Sequence, residues 1–190
     1  MYICLLRHGE TDWNNAGRLQ GREDVPLNDQ GIMQVKEAAI YLKNFDWKAI
    51  ITSPLSRAKV SAEIVSGETG HINILEEPDF IEKDYGQASG MIPEERQKRF
   101  PNGEWPGAES PEDLQKRTLN ALFKYVNEYD GNNFIIVSHG GVINSILAYL
   151  TDNETGTGEN KLRNACITLL EKINDQIKII FYNKTAKELI

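Results

Sequence analysis

Short apolar runs alternate with segments of helical periodicity along this chain of 190 residues, and this alternation constrains its fold more than any other feature. Such an order predicts strands of one sheet joined by helices that cross over its faces. The run Phe134–Val137 is apolar at every position, as expected for a central strand covered on both sides. The predicted strands are Tyr2–Leu6, Ala49–Thr52, His71–Leu75, Phe134–Val137, Ala165–Leu170 and Ile177–Tyr182.

Helix signals occupy the intervals between these strands. The predicted helices begin at Asn28, Ser53-Pro54, Ser110-Pro111 and Gly140-Gly141, the first running to Leu42, the second ending near Gly67 and the last running to Leu150. The last two strands, joined around Asn174-Asp175, predict an antiparallel hairpin. We therefore expect an α/β fold: a three-layer sandwich with a mostly parallel central sheet, an antiparallel edge and helices on both faces. Residues 1–190 are expected to form a single domain.

Two segments carry loop signals. Residues 84–107 are rich in glycine, proline and charge, with one short helix predicted at Glu94–Arg99. Residues 151–160 are nearly free of apolar side chains, and we expect them to be mobile. Long loops in a compact domain are often functional, so either segment is a candidate to close over a site.

The charge balance limits the kinds of partner. The chain has 21 Lys and Arg against 28 Asp and Glu, a net charge of −7. Nucleic acids and anionic membranes require a basic face, so neither is expected as a partner. No apolar run approaches the roughly 18 residues of a membrane span, and the N-terminus lacks the charged region of a signal peptide. Cys4 and Cys166 are widely spaced, which is typical of reduced thiols and favours a cytoplasmic location.

Two of the three histidines follow predicted strands directly. His8 comes after the first strand and His139 after the central one, and a glycine follows each. Active sites in such sheets lie beyond the carboxyl ends of the strands, where glycine lets a ligand approach the backbone closely. The helix that opens at Gly140 also presents free N–H groups and a positive dipole end to an anion. His71 lacks this setting and is expected to be structural or exposed.

Histidines with adjacent arginines favour phosphoryl transfer. A neutral imidazole is a nucleophile near pH 7, and its attack on phosphorus splits one difficult transfer into two easier ones. Arginine forks can neutralise the phosphoryl oxygens in bidentate fashion without a metal. Arg7 adjoins His8, and Arg57 follows the end of another predicted strand. We therefore expect a compact basic site that needs neither metal nor cofactor.

Three motifs in order resemble the histidine phosphatase superfamily, the phosphoglycerate-mutase-like fold. They are Leu6-Arg7-His8-Gly9-Glu10-Thr11 with Asn14, then Ser53-Pro54-Leu55-Ser56-Arg57-Ala58, then Ser138-His139-Gly140-Gly141. The resemblance implies that His8 is the phosphorylated nucleophile and Glu82 the general acid. It assigns phosphate or substrate binding to Arg7, Asn14, Gln20, Gly21, Arg57, Glu82, His139 and the backbone N–H of Gly140. From the residues alone, Asp84 competes with Glu82.

The resemblance is to the phosphatase branch, with two departures. Many of the family's phosphatases have a tryptophan where this chain has Ala88, so we expect a more open substrate pocket. Trp105 and Phe100 are candidates for its lining. The chain is also shorter than the family's cofactor-dependent mutases, whose extra segments cage the intermediate. An open site would let water reach the phosphohistidine.

The leading hypothesis is therefore a metal-independent phosphatase that acts on small phosphorylated metabolites, as a monomer or homodimer. Two alternatives remain. One is a cofactor-dependent phosphoglycerate mutase, and the other is a catalytically weak phosphate-binding regulatory module.

Overall fold

The computed structural model describes residues 1–156 and 161–190. Its strands are β1 (Tyr2–Arg7), β2 (Trp47–Thr52), β3 (Ile74–Glu76), β4 (Asn133–Ser138), β5 (Ile167–Ile173) and β6 (Gln176–Lys184). Its helices are α1 (Asp12–Asn15), α2 (Asp29–Leu42), α3 (Ser56–Glu68), α4 (Pro93–Arg99), α5 (Pro111–Glu128) and α6 (Gly140–Leu150). Short 3₁₀ turns occur at Pro78–Phe80, Gly86–Ala88 and Ala186–Glu188.

The strands form one sheet in the order β3-β2-β4-β1-β5-β6. The first four of these are parallel, whereas β5 pairs antiparallel with β1 and β6 pairs antiparallel with β5. The α/β sandwich with a mostly parallel sheet and an antiparallel edge is therefore confirmed. Because β5 runs against its neighbours, the residues just before it lie at the edge of the sheet where the parallel strands end.

Alternate residues of the strands pack on opposite faces of the sheet. Ile3 and Leu5 point into a core with α5 and α6, while Cys4 and Leu6 point into a core with α2 and α3. Every residue of Phe134–Val137 is fully buried, as the sequence predicts for a central strand. Both helix layers thus hold β1 and β4 rigidly, and these strands carry the two histidines.

The predicted helix caps at Asn28 and Ser110 are confirmed. The Asn28 side chain accepts a hydrogen bond from the Gly31 N–H at 2.8 Å, and the Ser110 hydroxyl accepts one from the Asp113 N–H at 3.0 Å. The short helix in the long loop is also present, although it begins at Pro93. The brief helix α1 has no counterpart in the sequence prediction, because four residues are too few to show a periodicity.

Several predicted boundaries differ from the structure, among them both ends of β5, which was predicted as Ala165–Leu170 and spans Ile167–Ile173. Helix α3 begins at Ser56, because the Ser53 hydroxyl accepts the Leu55 N–H at 3.3 Å and makes a turn there first. Strand β3 begins at Ile74, because His71 has a φ of 60° and donates its N–H to the Ser66 carbonyl in the turn after α3. His71 is exposed, as expected. Of the predicted mobile loop, residues 157–160 lie outside the described residues.

No helix in the described parts of the chain is long and apolar enough to cross a membrane.

Candidate active site

His8 and His139 are brought together by the pairing of β1 with β4. In that parallel pair Arg7 stands opposite Ser138, so the next residue of each strand emerges at the same point of the sheet edge. The two imidazole rings lie 5.1 Å apart between centroids. Both side chains are buried, with 2% of His8 and none of His139 exposed. The sheet thus joins two residues that are far apart in sequence.

The hydrogen bonding of His8 identifies which of its nitrogens can react. Nδ1 lies 2.7 Å from the Gly9 carbonyl oxygen, which only accepts, so Nδ1 carries the proton. Burial lowers the pKa of His8 well below its usual value of 6.5, and the positive charges of Arg7 and Arg57 lower it further. The ring is therefore neutral at pH 7, with an unprotonated Nε2 that can act as a nucleophile.

His139 is held by a residue that the sequence analysis did not assign to the site. Its Nε2 lies 2.7 Å from the hydroxyl of Ser53, which follows β2 at the same sheet edge. Burial lowers the pKa of His139 well below 6.5, with Arg57 and His8 adding to the effect. Its Nδ1 is buried and has no hydrogen-bond partner among the described residues.

Both arginines donate hydrogen bonds from terminal guanidinium nitrogens to backbone carbonyls. Arg57 is almost fully buried at the start of α3, and its Nη1 and Nη2 donate to the carbonyls of Glu23 and Gly21 at 2.7 and 2.8 Å. Arg7 donates through Nη1 to the Leu162 carbonyl. Loop carbonyls therefore accept hydrogen bonds from both terminal nitrogens of Arg57, and bidentate binding of a phosphate by this arginine stays a prediction. Burial lowers the pKa of Arg57 to about 10, which leaves it charged at pH 7.

Several buried polar atoms of this site lack partners within residues 1–156 and 161–190: Arg7 Nε, Arg57 Nε, His139 Nδ1 and Gln20 Oε1. A buried donor left without a partner costs about 1–3 kcal/mol, more when it is charged. The two arginine N–H groups are suited to an oxyanion, which would neutralise their charge and accept their hydrogen bonds. In those same residues no cluster of three or more His, Cys, Asp or Glu side chains could hold a metal ion.

Glu82 reaches the same sheet edge from the connection between β3 and α4. Its carboxyl oxygens accept the Gly141 N–H at 3.1 and 3.2 Å, and Oε1 also accepts the Lys83 N–H at 2.8 Å. The glycine that serves this contact is Gly141 rather than Gly140, since a Cβ at position 141 would stand 2.5 Å from Glu82 Oε1. A Cβ at Gly140 would meet only Arg7 at 3.7 Å, an ordinary contact. Asp84, the competing carboxyl, accepts the Gly86 N–H and forms an ion pair with Arg22.

The amide of Asn14 has its orientation fixed by three donors. Its Oδ1 accepts the Thr11 N–H at 3.2 Å, the Thr11 hydroxyl at 3.1 Å and the Asn164 amide at 3.0 Å. The NH₂ group of Asn14 is therefore the end that remains to donate to a phosphoryl oxygen. Asn164 also donates to the His8 and Gly9 carbonyls at 3.4 and 3.3 Å.

Asn164 was not predicted as a site residue, although its position before an antiparallel strand gives a reason to expect it there. The first residues of β5 lie at the edge where the parallel strands end. Leu162, which accepts the hydrogen bond from Arg7, lies there for the same reason. Side chains just before an antiparallel strand are therefore candidates for a site of this type.

The histidines, Arg57 and Glu82 are all buried, and the expected openness of the substrate pocket stays a prediction. Ala88 is fully buried in a 3₁₀ turn instead of leaving a gap. A Cβ on Gly141 would lie 3.3 Å from the Lys83 side chain, and one on Gly21 would lie 3.1 Å from the Tyr85 ring. The segment after Glu82 thus packs against the first turn of α6 and against the loop at Gly21, and the shape of this cover has no local sequence signal.

The two aromatic candidates for the substrate side differ in placement. Trp105 packs edge-on against Tyr85 with ring centroids 5.8 Å apart, so it belongs to the cover. Phe100 contacts the Arg99 guanidinium 5.4 Å from its ring centroid. Gln20 is buried, and Gly21 has a φ of +55° where its loop passes Tyr85. The substrate-lining role of both aromatic residues stays a prediction.

Comparison with known proteins gives a consistent result. The model of the histidine phosphatase superfamily (branch 1) matches residues 3–185. A Bacillus subtilis protein named "Uncharacterized phosphatase PhoE" is 41% identical over 181 residues, which are 95% of this chain and 93% of that protein. The metal-independent phosphoserine phosphatase of Arabidopsis thaliana is 32% identical, over 94% of this chain and 79% of its own. Other relatives are named phosphoglycerate mutases or mutase-like proteins.

A solved structure extends the agreement to the fold. Bacillus stearothermophilus YhfR superposes with a TM-score of 0.89 at 26% identity, covering 97% of each chain. The similarity therefore includes the antiparallel edge and the long loops as well as the central strands.

Proposed function

This chain belongs to the histidine phosphatase superfamily, and we propose that it hydrolyses small phosphomonoesters through a phosphohistidine formed at His8. The observation that carries the proposal is the set of buried nitrogens without partners beside the His8 ring: Arg7 Nε, Arg57 Nε and His139 Nδ1. The His139 ring lies 5.1 Å from that of His8, and the charges of Arg7 and Arg57 are near enough to lower the pKa of His8, whose Nδ1 is already bound to the Gly9 carbonyl. An arrangement that is costly without a ligand becomes favourable when an oxyanion accepts these hydrogen bonds.

In the first step, His8 Nε2 attacks phosphorus and the bond from phosphorus to the ester oxygen breaks. Glu82 in its acid form donates its proton to the departing alkoxide. The Nδ1–H bond to the Gly9 carbonyl stabilises the ring as it gains positive charge. The arginines and the Asn14 amide neutralise or bind the phosphoryl oxygens, which is the main demand of phosphoryl transfer.

In the second step, the Glu82 carboxylate takes a proton from water as the water oxygen attacks phosphorus. The bond from phosphorus to Nε2 breaks, and inorganic phosphate leaves. One carboxyl group therefore serves as acid and then as base, and its protonation state is restored after each turnover.

Hydrolysis of p-nitrophenyl phosphate in EDTA tests the proposal. We expect the wild type to release phosphate without added metal, and His8→Asn to lower kcat on the order of 10⁴-fold, because Asn cannot form the intermediate. His71→Asn is the matched control, since His71 is exposed in a turn that Asn tolerates, and it should keep full activity. An inactive wild type, or an active His8→Asn enzyme, would overturn the mechanism.

The same enzyme preparation separates the two alternatives. With 3-phosphoglycerate and 2,3-bisphosphoglycerate, a mutase forms 2-phosphoglycerate without releasing phosphate, whereas a phosphatase releases phosphate. A regulatory module would bind phosphate and turn over neither substrate. The burial of both histidines makes this comparison necessary, because a buried site also protects an intermediate from water.

The remaining features of the proposal concern the setting of the enzyme. The substrate class is small phosphorylated metabolites, which fit an acidic protein with a local basic site and agree with the name of the Arabidopsis relative. A cytoplasmic location is supported by the free thiols of Cys4 and Cys166. A single domain over residues 1–190 is supported by the one sheet, which takes strands from both ends of the chain.

A further inference from the structure

The proposed general acid lies in a connection without regular structure between β3 and α4, broken only by 3₁₀ turns. We infer that Arg117, on helix α5, is the positioning residue that sets Glu82 for proton transfer. This inference rests on the proposed function. Arg117 is not itself placed among the reacting groups, and it acts through the backbone that bears Glu82.

Arg117 binds the backbone on the N-terminal side of Glu82 and at Glu82 itself. Its Nη1 donates to the carbonyls of Asp79 and Ile81 at 2.5 and 2.7 Å, and its Nη2 donates to the carbonyl of Glu82 at 3.2 Å. One guanidinium group therefore determines the path of the four residues that end at the acid. A lysine has a single nitrogen and cannot span these three carbonyl oxygens.

The same guanidinium also holds the backbone on the C-terminal side, through Glu109. Arg117 Nε and Nη2 donate to the two oxygens of the Glu109 carboxylate at 2.6 and 2.9 Å. Glu109 in turn donates its N–H to the Asp84 carbonyl at 2.9 Å and accepts the Asp84 N–H at 3.3 Å. Glu82 is thus bracketed by one bidentate ion pair, which fixes the backbone before and after it.

This ion pair is better protected than an ordinary surface pair. The side chains of Arg117 and Glu109 are only 15% and 10% exposed. Burial by itself would raise the pKa of Glu109, but the hydrogen bonds and charge of Arg117 hold it below its usual value, so the carboxylate stays ionised. Bidentate, shielded pairs keep their geometry where exposed pairs contribute little.

Helix α5 gives the pair a rigid base. Ser110 and Pro111 start the helix in a well-capped first turn, and Leu114, Thr118 and Ala121 bury the neighbouring turns in the core. Because general acid catalysis depends on placement within hydrogen-bond reach of the ester oxygen, a shift of about 1 Å at Glu82 is expected to cost on the order of 10–100-fold in rate.

The test compares leaving groups. Arg117→Lys and Arg117→Met should lower kcat/KM on an alkyl ester such as glycerol 3-phosphate about 10–100-fold, because an alkoxide needs the proton. On p-nitrophenyl phosphate, whose leaving group departs without protonation, the change should stay within about threefold. In a Glu82→Gln background the Arg117 substitutions should have little further effect on the alkyl ester, because both act on the same proton transfer.

Lys124→Met is the matched control. Lys124 lies on the same helix and donates to Glu77 Oε2 at 2.7 Å, an ion pair with the same connection that does not involve Glu82. Loss of this ion pair should change kcat/KM for both substrates equally or not at all. Thermal unfolding of all variants reports on their stability. The inference would be overturned if Arg117→Lys lowered kcat/KM equally for both substrates, or did not lower it selectively for the alkyl ester. It would also be overturned if the Arg117 substitutions had their full effect on kcat/KM in the Glu82→Gln background. Failure of the proposed function would give a different result, because wild type and His8→Asn would then show the same rate of hydrolysis on every ester.

Discussion

The two sides of the active site are built in different ways. On the phosphoryl side, His8, His139 and Ser53 follow β1, β4 and β2, whose mutual pairing fixes where each emerges. On the proton-transfer side, Glu82 lies in a connection held by side-chain hydrogen bonds from Arg117 and by the approach of Gly141. The sheet therefore fixes the position of the proposed nucleophile, whereas the proposed acid depends on a few polar side-chain and backbone contacts.

This difference also predicts which side of the site opens more easily. Strand ends packed between two helix layers open only at a large fraction of the global unfolding free energy, while loops open at much lower cost. His8, at the end of such a strand, is 2% exposed. We therefore expect local opening to be easier on the side of Glu82 than on the side of the histidines.

The largest effect that separates the two sides is expected for Glu82→Gln. Glutamine keeps an oxygen for the Gly141 N–H but cannot supply a proton, so kcat on an alkyl phosphate should fall about 10²–10³-fold. The fall in kcat on p-nitrophenyl phosphate should be smaller, and stopped assays on both esters measure the ratio of the two losses.

His8→Asn provides the contrast on the phosphoryl side. It removes the nucleophile and should abolish turnover of both esters alike. If Glu82→Gln slowed both esters equally, the acid would have to be another group, and the division between the two sides would fail.

The next effect concerns stability and belongs to the phosphoryl side. Burial holds the pKa of His8 and His139 well below 6.5. Below pH 6.5 the unfolded chain therefore binds protons at these histidines that the folded protein does not bind. Stability is therefore expected to fall as the pH is lowered from about 7.5 to 5.5, by about 1.4 kcal/mol for each histidine. Urea unfolding across this range measures the change.

The histidine variants identify the source of that pH dependence. His8→Asn and His139→Asn should each remove about half of it, because each removes one proton that only the unfolded state binds. His71→Asn should leave the dependence in place, since His71 is exposed. A wild-type stability that stays flat over this range would mean that the histidines are not held neutral.

The contrast between the two sides also explains how far the sequence could predict the site. The histidines were predictable because apolar strands are local patterns and strand ends of parallel neighbours meet at one edge. Glu82 had no such signal and came from a family resemblance. Arg117 and Asn164 act through hydrogen bonds to backbone far away in sequence, which residue type and spacing do not encode. The hydrogen bonds of Arg57 were not predictable for the same reason, since the loop carbonyls that accept them lie 34 and 36 positions away.

A pair of helical glycines differs in how closely each packs on its surroundings. Gly31, in the first turn of α2, packs on the loop after His8, where a Cβ would lie 2.1 Å from the Glu10 carbonyl oxygen. Gly67 in α3 has open space around its Cβ position. Gly31→Ala should therefore cost about 1–3 kcal/mol of unfolding free energy. It should also slow the hydrolysis of both esters, because the Gly9 carbonyl that orients His8 belongs to the displaced loop.

Gly67→Ala should stabilise the protein by about 0.5–1 kcal/mol and leave the kinetics of both esters unchanged, since alanine only reduces the conformational freedom of the unfolded chain. Chemical unfolding and both ester assays check the pair. If Gly31→Ala slowed only the alkyl ester, the His8 loop would be coupled to the acid, and the two sides would not be separate.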